Sequence, residues 1–468
     1  MDGTWPMATA RLGGLVLSAL AASCAWSPSV TKTDFQGRQS PADTPDITWQ
    51  TRREVAQGEA IRGPWQMNAS EFRYVDDPTV ALTATGTVGV AWANQAEQDI
   101  FLQIYEPDGQ PRLSAPINVS RSPGIFSWLP KLIIHGEAAQ NIYLLWQDIV
   151  FSGGSHGGEI FFARSTDGGQ TFSQPLNLSN TRAGAGKGRL SAERWSNGSF
   201  ALARGPQGAL YAAWTEYEGN LRLSYSSDGG KRFSPPQTIV TAGEAGAPAR
   251  GPTLAVAGDG TVFLAWAVGD DDNADIYVTR SNDLRRSFAP PQVVHDSNGH
   301  SDAPAIAIDS GGTLHLVYAE SPRGRFRRYH IRYAQLPLGN ARFSQPQNIT
   351  GHHDQDFASV SFPEVALDGN DRLYVLWDLF SEGGHRPHGL GLTLSEDNGQ
   401  TFSAPAIVPG TDDPNLGIHG SLQGLLMQKL AVAPTGIFTI VTSTFRARHS
   451  SHIWLLQGQL NATSPAPP

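Results

Sequence analysis

The sequence predicts an all-β fold, a β-propeller with seven blades preferred and six as the alternative, its ring closed by a strand from the N-terminal side. Three observations carry this. A short apolar strand, ending in an aromatic residue in all copies but the last, recurs at an average of about 58 residues between positions 92 and 442. A Phe-Ser-x-Pro element recurs in phase with it. No 3.6-residue periodicity of helix length competes. Units of roughly 50 to 60 residues built from turn-separated strands mark radially packed blades, whose edges stay short and protected.

The aromatic-ended strand reads Val88-Gly-Val-Ala-Trp92, Tyr143-Leu-Leu-Trp146, Tyr211-Ala-Ala-Trp214, Phe263-Leu-Ala-Trp266, His315-Leu-Val-Tyr318 and Tyr374-Val-Leu-Trp377; a further copy, Phe438-Thr-Ile-Val-Thr442, lacks the aromatic. The second element reads Leu113-Ser-Ala-Pro116, Phe172-Ser-Gln-Pro175, Phe233-Ser-Pro-Pro236, Phe288-Ala-Pro-Pro291, Phe343-Ser-Gln-Pro346 and Phe402-Ser-Ala-Pro405. Thr253 to Ala257 and Ala305 to Asp309 alternate with small alanines, as a crowded inner strand requires. The last unit has strands around 429–433, 438–445 and 452–460 and then ends. Its missing outer strand is sought in residues 48 to 70.

Composition bounds the function. The 468 residues are 40% hydrophobic and 16% charged, with 50 glycines and 32 prolines and no G-X-Y period, so the chain is globular and turn-rich rather than disordered, collagenous or coiled coil. A net charge of −9 and a pI near 5.8 give no electrostatic footprint for nucleic acid. Arg11 precedes an apolar run, Leu12 to Ala22, of signal-peptide length and too short to span a bilayer. The run ends at Ser23-Cys24, similar to a bacterial lipobox, although Ala21 stands where Leu is usual. The expected organisation is a lipoprotein-type signal over 1–23, a flexible tether over 24–48 and one propeller over 49–468. Cys24 is then the lipidation site; the alternative is an ordinary cleaved signal. Export follows either way, to an outer-membrane lipoprotein, periplasmic or cell-surface location. Cys24 is the only cysteine, which excludes disulfides. No metal or other cofactor is expected, and a monomer is.

The turn before the Phe carries a sharper signature. Ser165, Asp167, Gly169, Thr171 and Phe172 fit S-x-D-x-G-x-T-[FW], as do Ser395, Asp397, Gly399, Thr401 and Phe402; Ser226, Asp228, Gly230 and Phe233 lack only the Thr, and Ser281, Asp283 and Phe288 keep less. An Asp here accepts backbone N–H groups across the hairpin, Gly supplies positive φ, and the ring plugs the blade. This pattern resembles the Asp-box, or bacterial neuraminidase repeat, of the sialidase superfamily, and covers about residues 70 to 460. The resemblance implies a site on the opposite face: three arginines clamping a carboxylate, a Tyr nucleophile activated by a Glu, and an Asp acid/base.

The clamp is largely unmatched. Asp76-Asp77-Pro78 stands where the first arginine is expected, Trp92-Ala-Asn-Gln-Ala96 lacks the second, and the same inner column continues as Trp128, Ser196, Arg250, Asp302, Ser361 and Leu426. Arg250 either binds an acidic group or pairs with Asp302 or Asp76. Loop carboxylates on that face include Asp148, Glu216, Asp270, Glu320 and Asp378. Glu216-Tyr217 is the candidate Glu–Tyr pair and Asp99 the candidate acid/base, with Arg250, Asp76, Asp302, Asp148 and Asp378 as substrate-binding candidates. Arg182, Lys187, Arg189 and Arg194 occupy one long connection, and Arg323, Arg325, Arg327 and Arg328 another; these read first as a solvated basic surface, the alternative being that both fold over the pore and rebuild an anion site. The expected function is glycan or surface-protein recognition, with membrane contact only through the anchor. The alternative is an exo-α-sialidase or related glycoside hydrolase.

Overall fold

The computed structural model describes residues 45–461 except 51, 151–157, 192–193, 269–272, 282–286, 326, 351–357 and 382–384. The signal, Cys24, most of the tether, Asp270 and Asp283 lie outside the described residues.

Seven four-layered antiparallel sheets form the blades. In blades 1 to 6, four strands pair in chain order from the inside outward, beginning with Val75–Leu82, Ser127–His135, Phe200–Arg204, Ala249–Val256, His300–Ile308 and Ser359–Leu367. Blade 7 is assembled from both ends of the domain. Ile418–His419 and Leu430–Val432 together line Ile437–Arg446, which pairs with Ser450–Leu460, and the outer edge of that strand takes Ile47–Trp49 and Arg53–Gly58. The closing strand therefore comes from the N-terminal side, starting at Ile47, just before the expected domain boundary. Trp49 locks it edge-on against Phe438 at 5.3 Å, and the Arg52 guanidinium lies 4.1 Å over Trp454.

Second strands are covered on both faces, which explains their continuous apolar runs; Leu210–Thr215 is buried throughout. Trp146, Trp214, Trp266 and Trp377 are fully buried between blades, each contributing roughly 2 to 3 kcal/mol of burial.

Third-to-fourth-strand turns lie on the back face. In blade 2, Ser165 Oγ donates to Asp167 (2.7 Å) while accepting from Gly169 N (3.0 Å), and Asp167 accepts from Thr171 N (3.0 Å) and Thr171 Oγ1 (2.5 Å). Blade 6 repeats the geometry with Ser395, Asp397, Gly399 and Thr401, and blade 3 with Ser226, Asp228 and Gly230. Gly169, Gly230 and Gly399 have φ of 92°, 81° and 83°, the left-handed region where a side chain is strained. The following ring reaches the previous blade: Phe233 meets Phe162 and Phe402 meets Tyr333, both at 4.9 Å. Burial opposes ionisation of Asp167, but the Thr171 and Ser165 bonds outweigh it and hold the carboxyl at about 2.

Inner strands begin on the opposite, front face, and five share a bulge there. Asp77, Leu129, Gly251, Ala303 and Phe362 take φ of 54°, 57°, 57°, 51° and 54°, and each is followed by a proline. Register slips across the bulge in all five sheets. The residues just before it are Asp76, Trp128, Arg250, Asp302 and Ser361. Two members of the expected column are corrected. Ser196 pairs with Gly188 in a separate hairpin, Lys187–Ser191 with Arg194–Asn197, because blade 3's inner strand starts only at Phe200. Leu426 lies in the segment that interrupts the inner strand of blade 7.

Asp397→Ala is expected to lower unfolding stability by about 1 to 2 kcal/mol, from the loss of its turn hydrogen bonds. Denaturant unfolding against wild type measures this.

Candidate functional site

The front of the axis is filled by the chain itself. Between Ile418–His419 and Leu430–Val432, residues 420–429 leave blade 7 and cross the ring. Leu422 N donates to Asp76 (2.7 Å), Ser421 Oγ to Asp77, Asn197 Nδ2 to Gln423 O (2.9 Å) and Lys131 Nζ to Leu426 O. Lys429 N donates to Glu364 (2.7 Å) and its ammonium pairs with Asp378 (2.6 Å). Asp76 and Asp77 are buried, and desolvation raises both pKa values, Asp77 also through the neighbouring Asp76. Asp76 accepts further from Ser443 (2.7 Å). Asp378 is likewise raised by burial, which Lys429 opposes. Burial pulls the Lys131 ammonium down to about 8, against the pull of Glu364. Asp76 and Asp378 are thus occupied in holding the axial segment.

Arg250, buried to 2% exposure, ion-pairs with Asp302 through Nη1. Its Nη2 lies 3.2 Å from His300 Nε2, and His300 Nδ1 lies 3.0 Å from the Tyr329 hydroxyl. A guanidinium only donates, so His300 Nε2 accepts and Nδ1 carries the proton. Tyr329 oxygen then accepts from His300.

Two basic segments close over this cluster. The hairpin over 187–197 seals Arg250: a Cβ at Gly188 would lie 2.5 Å from Arg250 Cβ. From blade 5, Arg325 Nη1 donates to Leu190 O of the hairpin (2.7 Å), tying the two segments across blade 4. Arg323, Arg327 and Arg328 stay exposed, while Arg189 and Tyr329 are half-buried. The signal for this was in the sequence as two arginine-rich connections; His300 and Tyr329 carried none.

Glu216 and Tyr217 face different neighbours. Glu216 pairs with Arg222 (3.1 Å) and accepts from Asn220 (2.9 Å), whereas the Tyr217 ring stacks on Trp195 at 4.5 Å. Desolvation raises the phenol's pKa, partly offset by Arg189. Asp99 sits two blades away. It accepts from Asn118 (2.7 Å), Ser120 (2.5 Å) and both N and Oγ of Ser122 (2.9 Å each), fastening the end of its blade's outer strand. Ser122 and Ser127 then bridge Asp99 to Asp148, which also accepts from Trp146 (2.6 Å). Burial pushes Asp148 up to about 7. The structure therefore brings together Arg250 with Asp302, and Asp99 with Asp148, but does not bring Asp99 to Glu216 and Tyr217.

No protein-family model matches the chain, and no curated protein sequence matches it. Solved structures do. The chain is similar to the polysaccharide lyase Uly1, with a TM-score of 0.52 and 11% identity over 88% of this chain and 100% of that one. It is also similar to an α-L-arabinanase of Penicillium chrysogenum complexed with arabinobiose (TM-score 0.47, 13% identity, 86% and 98% covered) and to the Hadza microbial sialidase Hz136 (0.40, 12%, 72% and 66%). At these identities the likeness is one of fold, a β-propeller.

Two outcomes follow. Arg250→Ala is expected to cost about 2 to 3 kcal/mol, because it leaves Asp302 and His300 without their cation; chemical denaturation measures it. An acid whose folded pKa is raised holds its proton more tightly when folded, so stability is fully present below the unfolded value near 3.8 and declines as pH rises to about 7. Asp148→Asn is expected to flatten that decline in melting temperatures taken between about pH 4 and 8.

Proposed function

We propose that the front face recognises an anionic glycan, in a protein exported and held at the cell surface through its N-terminal segment. The observation that carries this is the joining of the two basic segments by Arg325 and Leu190, above Tyr329 and beside the Trp195–Tyr217 stack. Guanidinium forks suit carboxylate or sulfate groups, and flat rings suit the apolar face of a sugar. A polysaccharide lyase of similar fold is consistent with it. Against the three-arginine chemistry stand Asp76, bound under Leu422, and Arg250, neutralised by Asp302.

A second reading is cleavage, by an exo-α-sialidase or related glycoside hydrolase of the sialidase superfamily releasing terminal acidic sugars. The run of contacts Arg250–His300–Tyr329 favours it, since it holds the Tyr329 hydroxyl in a fixed place on the front face.

Purified protein on an array of neutral and anionic glycans is expected to retain anionic members, and the double variant Arg323→Glu/Arg327→Glu to bind them at least about tenfold more weakly with a shallower salt dependence. Equal retention of neutral and anionic glycans, or none, overturns the proposal. Release of fluorophore from a fluorogenic sialoside, abolished by Tyr329→Phe, establishes the second reading in its place.

A further inference from the structure

Residues 59–73 run from the outer edge of blade 7 to the inner strand of blade 1, folding into a hairpin of Ile61–Arg62 with Phe72–Arg73. Its loop is pinned. Asn68 Nδ2 donates to Ile149 O (2.9 Å), Asn68 Oδ1 accepts from Phe126 N (3.0 Å), and Ser70 Oγ accepts from Gln66 N (2.6 Å). Of the four exposed large hydrophobic side chains among the described residues, three belong to this segment: Ile61, Trp65 and Met67. Trp65, 46% exposed, stacks on Trp128 at 5.2 Å with 19° between planes. Trp128 is buried, and its Nε1 donates to Gln147 (2.8 Å). The lower ring is therefore fixed, and it fixes the upper one.

Charge gathers beside it. Arg62 is exposed, with its guanidinium carbon 5.9 Å over Phe72, whose ring is 6.0 Å from Trp65. Arg386 reaches the same region from blade 6, donating to Leu422 O (3.0 Å). Burial, and then the nearby Arg62 charge, lower its pKa. Among the described residues no salt bridge to Arg62 is present, whereas Arg386 also feels Asp76, which already accepts from Leu422 N and Ser443; an acid group arriving beside Arg62 would meet an unpaired cation there.

We infer that Trp65, Arg62 and Arg386 form a second, preformed subsite on the front face, taking one pyranose ring that carries a carboxylate or sulfate. The ring's axial C–H groups lie on the outer face of Trp65, and its acid group meets the guanidinium pair. A rigid, buttressed ring suits a flat saccharide ligand; a loop that inserts into a bilayer projects its apolar side chains instead. The inference rests on the reading that this face takes anionic glycans, and it adds where and in what form.

The test is calorimetric titration of the protein with a galacturonic acid hexamer and with its methyl-esterified, uncharged form. Wild type is expected to prefer the acid. Trp65→Ala is expected to weaken both ligands by about tenfold, and Arg62→Gln to weaken only the acid by about fivefold, with an unchanged melting temperature. Arg62 is exposed, so its variant decides the matter if Trp65→Ala fails to fold. Unchanged acid binding in both variants overturns the subsite alone and leaves glycan recognition standing. Binding to anionic phospholipid vesicles that Trp65→Ala abolishes, with neither oligosaccharide bound, also overturns the subsite. Failure of the wild type to retain any anionic glycan removes the underlying reading and the subsite together.

Discussion

Seven inner strands converging on one axis leave a space that must be filled, and how it is filled governs the rest of the front face. This chain fills it by breaking the inner strand of blade 7 between His419 and Leu430 and laying the intervening residues across the ring. A backbone crossing the interior needs partners for its polar groups. Asp76, Asp77 and Glu364 supply acceptors, and Lys131 donates to the Leu426 carbonyl. Those acids are buried at the cost of desolvation, which Arg386 offsets for Asp76, Lys131 for Asp77, and Lys429 with Lys131 for Glu364. The ring is held at its centre by its own chain.

A second regularity follows from the bulges. Placing a left-handed residue before a proline turns each of five inner strands at the same level, so the preceding side chains point to one ring of positions. The carboxylates a step further out follow a different logic. Asp99 fastens its blade's outer strand, Glu216 meets Arg222, Glu320 meets Arg332 at 2.8 Å and Asp378 meets Lys429. A rim that reads as acidic is thus tied up locally, by hydrogen bonds at Asp99 and by cations at Glu216, Glu320 and Asp378. The net positive ground lies instead on the loops that roof it, where Arg323, Arg327 and Arg328 remain exposed.

Architecture was legible because it rests on local, repeated chemistry. Trp146 or Trp377 at the end of an apolar run, and Ser395, Asp397 and Gly399 in one turn, dictate the same structure wherever they occur. Even ring closure could be read, from a last unit that stops a strand short. The site was legible only in part. Arg250 with Asp302 followed from two positions of one column, yet His300 and Tyr329 are brought to them by strand register, which no spacing announces. Glu216 and Tyr217 are neighbours in sequence and separated by the alternation of side chains at a strand end. The axial crossing of residues 420–429 left no periodic mark, since its hydrogen-bonding partners are scattered over three other blades and the 187–197 hairpin.

Closing blade 7 with Arg53–Gly58 against Ser450–Leu460 joins segments almost 400 positions apart; Glu54 meets His452 at a separation of 398. During synthesis the first strand of the domain is made long before its partner exists. Until the last strand leaves the ribosome, six blades stand as an open arc with an unsatisfied edge at each end, and such edges are where chains pair wrongly. The domain therefore gains its final cooperativity in one late step, and a chain released early, short of residue 450, lacks the strand to which its own beginning belongs.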